Sequence, residues 1–279
     1  AGDILPAHPT RCFTMIYVCI PSHNEAPTVG LLLWKIRQIF SGFPREYHLL
    51  VVDDGSTDGT GEVLEPYTRV LPLTLVRHEK RQGYAASVEE LLRLALDRTD
   101  RPKRDSAILM HADFAHGPSF IPDLVRRLES GADVVVAQSA LAGEASVGRR
   151  LVRRLGPLLL RGRLRVPGVS DLVSGFVALR LITLRHAFRA GEGRLLKSEG
   201  WSANAELIAR AAQVARRVET ITAVERHDLR HRPSRVRPWQ TAMALWHSRR
   251  VLRLPPPPPP AGRPGREERR APETAGSEK

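Results

Sequence analysis

Residues 15–25, Met15-Ile16-Tyr17-Val18-Cys19-Ile20-Pro21-Ser22-His23-Asn24-Glu25, and residues 48–56, His48-Leu49-Leu50-Val51-Val52-Asp53-Asp54-Gly55-Ser56, share one pattern. A short apolar run breaks into a polar cluster. The apolar parts, 15–20 and 48–52, predict buried strands. Between them, Leu32, Leu33, Ile36, Ile39 and Phe40 fall at helical spacing and stop at Ser41-Gly42, which predicts a helix over 29–40. Thr57 or Asp58 would cap a short helix after the second strand. The alternation continues with strands over 73–77, 107–110 and 133–137 and helices over 85–96 and 119–128. Such alternation, at spacings that suit right-handed crossovers, predicts an α/β fold: a mainly parallel sheet with helices on both faces. Ligands in these sheets bind beyond the carboxyl ends of the strands. Three polar clusters fall there: 22–25, 53–56, and His111 with Asp113.

After residue 140 the pattern loosens. A basic helix is expected over 147–160, a return to the sheet over 173–179, a helix over 203–217 and a strand over 219–224. Residues 239–254 mix Trp239, Met243, Trp246 and Val251 with Arg249, Arg250 and Arg253. They predict a basic amphipathic helix, which either packs on the domain or lies on an anionic membrane. From Pro255 onward the chain is rich in Pro, Gly and charge and lacks the apolar residues to fold. The expected organisation is one domain over 14–238, a helical appendage over 239–254 and a disordered tail over 255–279.

Composition narrows the function classes. The chain has 279 residues, 42% of them hydrophobic, which suffices for one large domain. No apolar run is long enough to span a bilayer, and no basic-then-apolar leader opens the chain. Cys12 and Cys19 are its only cysteines, too few for a disulfide framework, which points to a reducing cytoplasm. Residues 1–140 carry 15 Lys/Arg against 18 Asp/Glu, while residues 141–279 carry 28 against 12. The basic half suits phosphate, anionic lipid or nucleic acid. Aromatic residues for base stacking are only 5%, and no nucleic-acid module is recognisable, so a nucleic-acid partner is not expected.

Each cluster admits a functional and a bland reading. Asp53-Asp54-Gly55-Ser56 would offer carboxylates to a ribose diol or a base N–H, yet Asp, Gly and Ser are ordinary residues of a strand-to-helix turn. His111 and Asp113, two apart on an extended chain, would face the same side and hold a cation against a diphosphate. They equally suit a satisfied polar strand end. Three such ends converging on one crevice outweigh any one of them.

These segments together resemble the family 2 glycosyltransferases of the GT-A fold, a Rossmann-like architecture. The resemblance is strongest to the polyprenyl-phosphate (dolichyl-phosphate) sugar synthases. It rests on Ile20 through Glu25, on Val51 through Thr60 and on the spacing to His111-Ala112-Asp113. Arg81-Gln82-Gly83-Tyr84-Ala85-Ala86 and Asp171-Leu172-Val173-Ser174-Gly175-Phe176 add to it. The resemblance implies that Pro21, Asn24 and Glu25 line the nucleotide site, that Asp53 meets base or ribose with Asp54 nearby, and that Gly83 lets the backbone approach the nucleotide. It places Asp113, with His111, at a Mn²⁺ or Mg²⁺ ion on the diphosphate, and Glu206 near the donor sugar. Arg230 and Arg232 match a late phosphate-binding motif.

Two departures stand out. The family's metal motif is usually Asp-x-Asp, often with Gln two residues on; here those positions are His111, Asp113 and Ala115. The lipid-phosphate branch tends to carry Arg just after its fifth strand, where this chain has Gln138-Ser139-Ala140 and places Arg149, Arg150, Arg153 and Arg154 later. The reaction implied is inverting displacement at the anomeric carbon, moving a hexose or hexosamine from GDP-mannose or a UDP-sugar to a polyprenyl phosphate at the cytoplasmic membrane face. An acceptor phosphate would meet Arg149 and Arg150. A second reading is a soluble enzyme acting on a small hydroxyl acceptor, with Asp171 first and Glu206 second as the base. A remote third is a non-catalytic phosphate or nucleic-acid binder.

Overall fold

The computed structural model describes residues 14–114, 116–140, 166–191 and 194–224. Seven strands form one sheet: β1 (Ile16–Ser22), β2 (Tyr47–Asp53), β3 (Leu73–Arg77), β4 (Ser106–Leu109), β5 (Val134–Ala140), β6 (Val177–Arg180) and β7 (Val218–Val224). Their order is β3-β2-β1-β4-β6-β5-β7. All pairings are parallel except those of β6, which runs antiparallel to both β4 and β5.

The helices are α1 (Ala26–Gly42), α2 (Thr60–Leu64), α3 (Tyr84–Arg98), α4 (Ile121–Glu129), α5 (Leu181–Ala190) and α6 (Trp201–Val214). Alternate residues of each strand face opposite layers, as pleating requires. Ile16, Val18 and Ile20 of β1 join α1, α2 and α4, whereas Tyr17 and Cys19 join α3, α5 and α6. The sheet is thus buried on both faces, which is why its strands read as unbroken apolar runs. Among the described residues no helix is long and apolar enough to cross a membrane.

The chain steps outward from β1 to β2 to β3, then returns to the other side of β1 to form β4. The order reverses between β1 and β4, and the crevice of an open α/β sheet lies at such a point, beyond the strand ends. The clusters after β1, β2 and β4 lie on neighbouring strands around it.

Several boundaries differ from expectation. Residues 173–176 are loop, and only Val177–Arg180 returns to the sheet. The 119–128 helix begins at Ile121, after a 3-10 turn over Pro118–Phe120. Helix α5 was not expected at all. The helix and tail expected over 239–254 and 255–279, and the 147–160 helix, lie outside the described residues.

Candidate active site

The loops after β1 and β2 are clamped to each other. His23 Nδ1 lies 2.7 Å from the Asp54 carbonyl oxygen. The Asn24 amide donates to Ser56 Oγ at 2.8 Å, and the Thr57 amide donates to Asn24 Oδ1 at 2.8 Å. The Glu25 amide donates to Thr60 Oγ1 at 2.8 Å and the Ala26 amide to Asp58 Oδ2 at 3.2 Å. Asn24 sits at φ 53, a left-handed conformation that Asn tolerates better than most residues. Its side chain is therefore spent on the clamp. Neither Thr57 nor Asp58 is the cap of α2; Gly59 holds that position at φ 83, and Asp58 instead accepts from the Thr60 amide. Pro21 is buried within β1 opposite Val52. Glu25 is buried at the start of α1, with Oε2 accepting from the Thr28 hydroxyl at 3.0 Å.

The two aspartates after β2 have different surroundings. Asp53 accepts from the Ser56 amide at 3.3 Å and lies 3.7 Å from the half-exposed Arg77 Nε. Asp54 faces the loop after β3. Its Oδ1 meets His78 Nδ1 at 2.9 Å and the Gln82 amide at 2.7 Å, and its Oδ2 takes the Gly83 amide at 3.0 Å. Burial pushes the Asp54 pKa up, but the bonds from His78, Gln82 and Gly83 outweigh it and hold the carboxyl below its ordinary value. Gly83 adopts φ 106, and a Cβ there would stand 3.0 Å from Glu199 Oε1. Its freedom from a side chain thus serves the packing of Glu199, which accepts from the Ala85 amide at the start of α3. Gly55, at φ 60, is required because a Cβ would lie 2.6 Å from the Arg81 backbone nitrogen.

The third strand end corrects one expectation. His111 and Asp113 do not project from an extended chain, because β4 ends at Leu109 and residues 112–113 form a turn. Phe114 explains it: at φ 58 and 2% exposed, it folds back into the core beneath α1 and α4. The His111 ring stacks on Tyr84, centroids 5.2 Å apart and planes 17° apart. Burial raises the Tyr84 pKa, more than its Asn204 hydrogen bond lowers it, so the hydroxyl stays protonated. It donates to Asn204 Oδ1 at 2.7 Å, while Asn204 Nδ2 donates to the Val173 carbonyl. The 3.5 Å contact between Tyr84 oxygen and His111 Nε2 then needs the imidazole proton on Nε2.

Residues 171–176 pack against this group. A Cβ on Gly175 would lie 1.9 Å from His111 Nε2. Ser174, fully buried, donates to the Ala137 carbonyl at 2.6 Å and accepts from the Phe176 amide at 3.2 Å. Asp171 Oδ1 accepts from the Val173 amide at 3.2 Å. At the end of β5, Gln138 spans the same loop: its amide donates to the Gly168 carbonyl and its oxygen accepts from Ser170.

Glu206 is held in a dense set of hydrogen bonds. Its side chain is 1% exposed and every lone-pair direction has a donor. Oε2 accepts from the Lys197 and Ser198 amides at 2.9 and 3.0 Å; Oε1 accepts Arg210 Nε at 3.0 Å and Nη2 at 2.8 Å. These bonds anchor the chain before α6. Arg149, Arg150, Arg230 and Arg232 lie outside the described residues.

Asn204, His78 and Glu199 are the participants that sequence reasoning missed. Their partners are distant in the chain, and no local pattern marks them. Among the described residues, no group of three or more His, Cys, Asp and Glu is assembled for a metal ion. The Asp113 carboxylate and the His111 imidazole are an oxygen and a nitrogen donor, types that divalent cations accept.

The family model described as Glycosyl transferase family 2 matches residues 17–188. A dolichol-phosphate mannosyltransferase of Pyrococcus furiosus is 29% identical over 171 residues, covering 59% of this chain and 46% of that protein. The chain thus spans about half the length of that archaeal relative. An undecaprenyl-phosphate mannosyltransferase of Micrococcus luteus is 28% identical over 218 residues, 76% of this chain and 84% of that one. Among solved structures, glucosyl-3-phosphoglycerate synthase from Mycobacterium tuberculosis, in complex with Mn²⁺, UDP-glucose and phosphoglyceric acid, superposes with a TM-score of 0.60 at 20% identity. That likeness covers 87% of this chain and 80% of that one, and it shows the shared GT-A fold.

Proposed function

Because the chain belongs to glycosyl transferase family 2, we propose that it moves a hexosyl group from a nucleoside-diphosphate sugar to a polyprenyl phosphate. The observation that supports this reading is the adjacency of β2, β1 and β4 at the strand-order reversal, with Asp53 ending β2 and Glu25 and Asp113 following β1 and β4 in the chain. The relatives from Pyrococcus and Micrococcus, both named for transfer to a polyprenyl phosphate, support the acceptor class.

In this reading Asp53 accepts from the base or ribose, Pro21 and Glu25 form the pocket wall, and Asn24, Asp54 and Gly83 fix the loops around it. Asp113, with His111, would hold Mn²⁺ or Mg²⁺, which would supply positive charge to the departing diphosphate. The acceptor phosphate attacks the anomeric carbon from the face opposite the leaving group, inverting it. It is already anionic and needs no base; it needs positioning, for which Arg149, Arg150, Arg230 and Arg232 are the candidates. Preorganised dipoles around the crevice contribute because they need not reorient when charge develops. The enzyme would work at the cytoplasmic face of the membrane, with the 239–254 segment at the lipid surface.

One observation favours a second reading, in which a small-molecule hydroxyl is the acceptor. Gln138, at the position where the lipid-phosphate branch tends to carry Arg, is tied to Gly168 and Ser170 and offers no charge. A hydroxyl would need Asp171 as general base.

The test is transfer of labelled sugar from GDP-mannose and UDP-sugars by the full chain, with undecaprenyl or dolichyl phosphate and with Mn²⁺, Mg²⁺ or chelator. An organic-soluble product labile to mild acid is expected, with activity lost in Asp113→Asn. Label appearing only in water-soluble products would transfer the case to the hydroxyl acceptor.

A further inference from the structure

His78 follows β3 directly, and its own amide donates to the Asp53 carbonyl at 2.9 Å, prolonging the β2–β3 ladder by one rung. Its side chain is 5% exposed and is held at both nitrogens by carboxylates. Nδ1 lies 2.9 Å from Asp54 Oδ1, and Nε2 lies 2.7 Å from Glu90 Oε2 on α3. A neutral imidazole has one N–H and one lone pair. It can serve one of these carboxylates and must turn a lone pair toward the other. Only the imidazolium donates to both.

Asp54 passes this on, since the same carboxylate takes the Gln82 and Gly83 amides. The chain of contacts runs from Glu90 on α3 through His78 and Asp54 to the 82–83 backbone.

We propose that His78 is a positioning residue for the donor site. As the imidazolium it ties α3 and the end of β2 to the 82–83 loop, and on losing its proton it releases that loop. This rests on the reading of the crevice as a nucleoside-diphosphate-sugar site.

The charged neighbours agree with the direction. Glu90 and Asp54 face the ring itself. Arg81 Nε lies 3.9 Å from Asp54 Oδ2 on a side chain 65% exposed, where solvent screens it. Arg93 is engaged by Glu89 at 2.7 Å. His78 also lines a groove of about 380 Å³ with Gln82, Glu89, Glu90, Arg93 and Arg194, which gives its proton a route to water. Burial by itself would lower the His78 pKa; the hydrogen bonds to Asp54 and Glu90 outweigh it and raise the pKa above the ordinary 6.5. The bridge is therefore fully present below pH 6.5 and is lost as pH rises through the raised value. Between pH 6 and 9, raising the pH loosens the loop.

The experiment uses the full chain, with UDP and GDP as probes measured by calorimetry from pH 6 to 9. Side-chain titration of His78 is followed by NMR without nucleotide. The native protein should bind about tenfold more weakly on the alkaline side, with a midpoint above 6.5. His78→Gln should bind about tenfold more weakly at pH 6 and show no such midpoint. Glu90→Gln, which removes one of the two carboxylates on the ring, should still show a midpoint, displaced to lower pH. It serves as the control should His78→Gln fold poorly. The same pH dependence in native and His78→Gln proteins, or an unmoved midpoint in Glu90→Gln, overturns the proposal. So does titration of His78 at or below 6.5 with nucleotide binding intact. A raised titration with no nucleotide bound at any pH keeps the bridge and overturns the donor-site reading on which its positioning role depends.

Discussion

Replacing Glu206 by Gln separates a structural carboxylate from a catalytic one. In the native protein Oε2 receives two backbone amides and Oε1 receives two guanidinium N–H groups, in a side chain 1% exposed beside an Arg210 that is 13% exposed. Gln keeps the shape but has only one acceptor end. If its oxygen faces the Lys197 and Ser198 amides, its NH₂ points at the guanidinium, donor against donor. If it flips, the two amides are stranded instead. Leaving one member of a buried ion pair uncompensated costs about 3–5 kcal/mol. At roughly 2–4 °C per kcal/mol for a domain of this size, the melting temperature should fall by about 6–20 °C. Thermal unfolding by circular dichroism measures it. Assayed well below the new midpoint, kcat should stay within a few-fold of native. A base in direct use would behave oppositely, with kcat down by about 10²–10⁴ and stability nearly unchanged. A melting temperature within about 2 °C of native, combined with lost turnover, would refute the structural assignment.

Gly175→Ala should disturb the His111 side of the crevice. The new Cβ would lie 1.9 Å from Nε2 of a ring already stacked on Tyr84, so the ring must move, at an overpacking cost of about 1–3 kcal/mol. Urea unfolding gives the cost, and loss of Mn²⁺ stimulation at constant temperature reports the displaced imidazole. Asp54→Asn should alter stability in acid. The Asp54 pKa is lowered in the folded state, so its contribution is present above the unfolded value of 3.8 and is lost as pH falls through the folded one. The variant should be less stable at neutral pH, and its deficit relative to native should shrink as pH drops below about 4, read from denaturant midpoints along a pH series.

Legibility from sequence followed locality. Strands β1 and β2 were readable almost to their ends because burial on both faces makes each a continuous apolar run. Helix α5 escaped notice because Leu181, Leu184, Ala187 and Phe188 mark a buried face interrupted by Arg185 and His186. Nothing in Val177–Arg180 announces that the strand runs antiparallel, since direction is fixed by where the connecting chain returns. The three polar strand ends were legible, and the structure sets β2, β1 and β4 side by side, but the partners of the individual side chains were not legible. Asn24 and Asp54 are polar in order to hold other loops, with partners 24–33 residues away. Glu206 was named from the family resemblance, and its four donors became visible only in the fold. His78 carries no signal until Asp54 and Glu90 are seen on either side of it.

The position of β6 has a consequence for how the chain is made. It lies between β4 and β5, although β5 precedes it in sequence. During synthesis β1 to β4 can assemble as the ribosome releases them, but β4 then ends the growing sheet, with the edge of Ala107, Ile108 and Leu109 away from β1 unpaired until Val177–Arg180 emerges. Strand β5 leaves the tunnel earlier and has no partner in place: β6 and β7, its two neighbours, both come later. At about 5–20 residues per second, the open rung of β4 stays uncovered for several seconds. An uncovered apolar edge of this kind is where nascent chains associate with one another. Truncations that stop between β5 and β6 should accordingly be the ones that aggregate, and the interval over 141–176 is where a chaperone would be most needed.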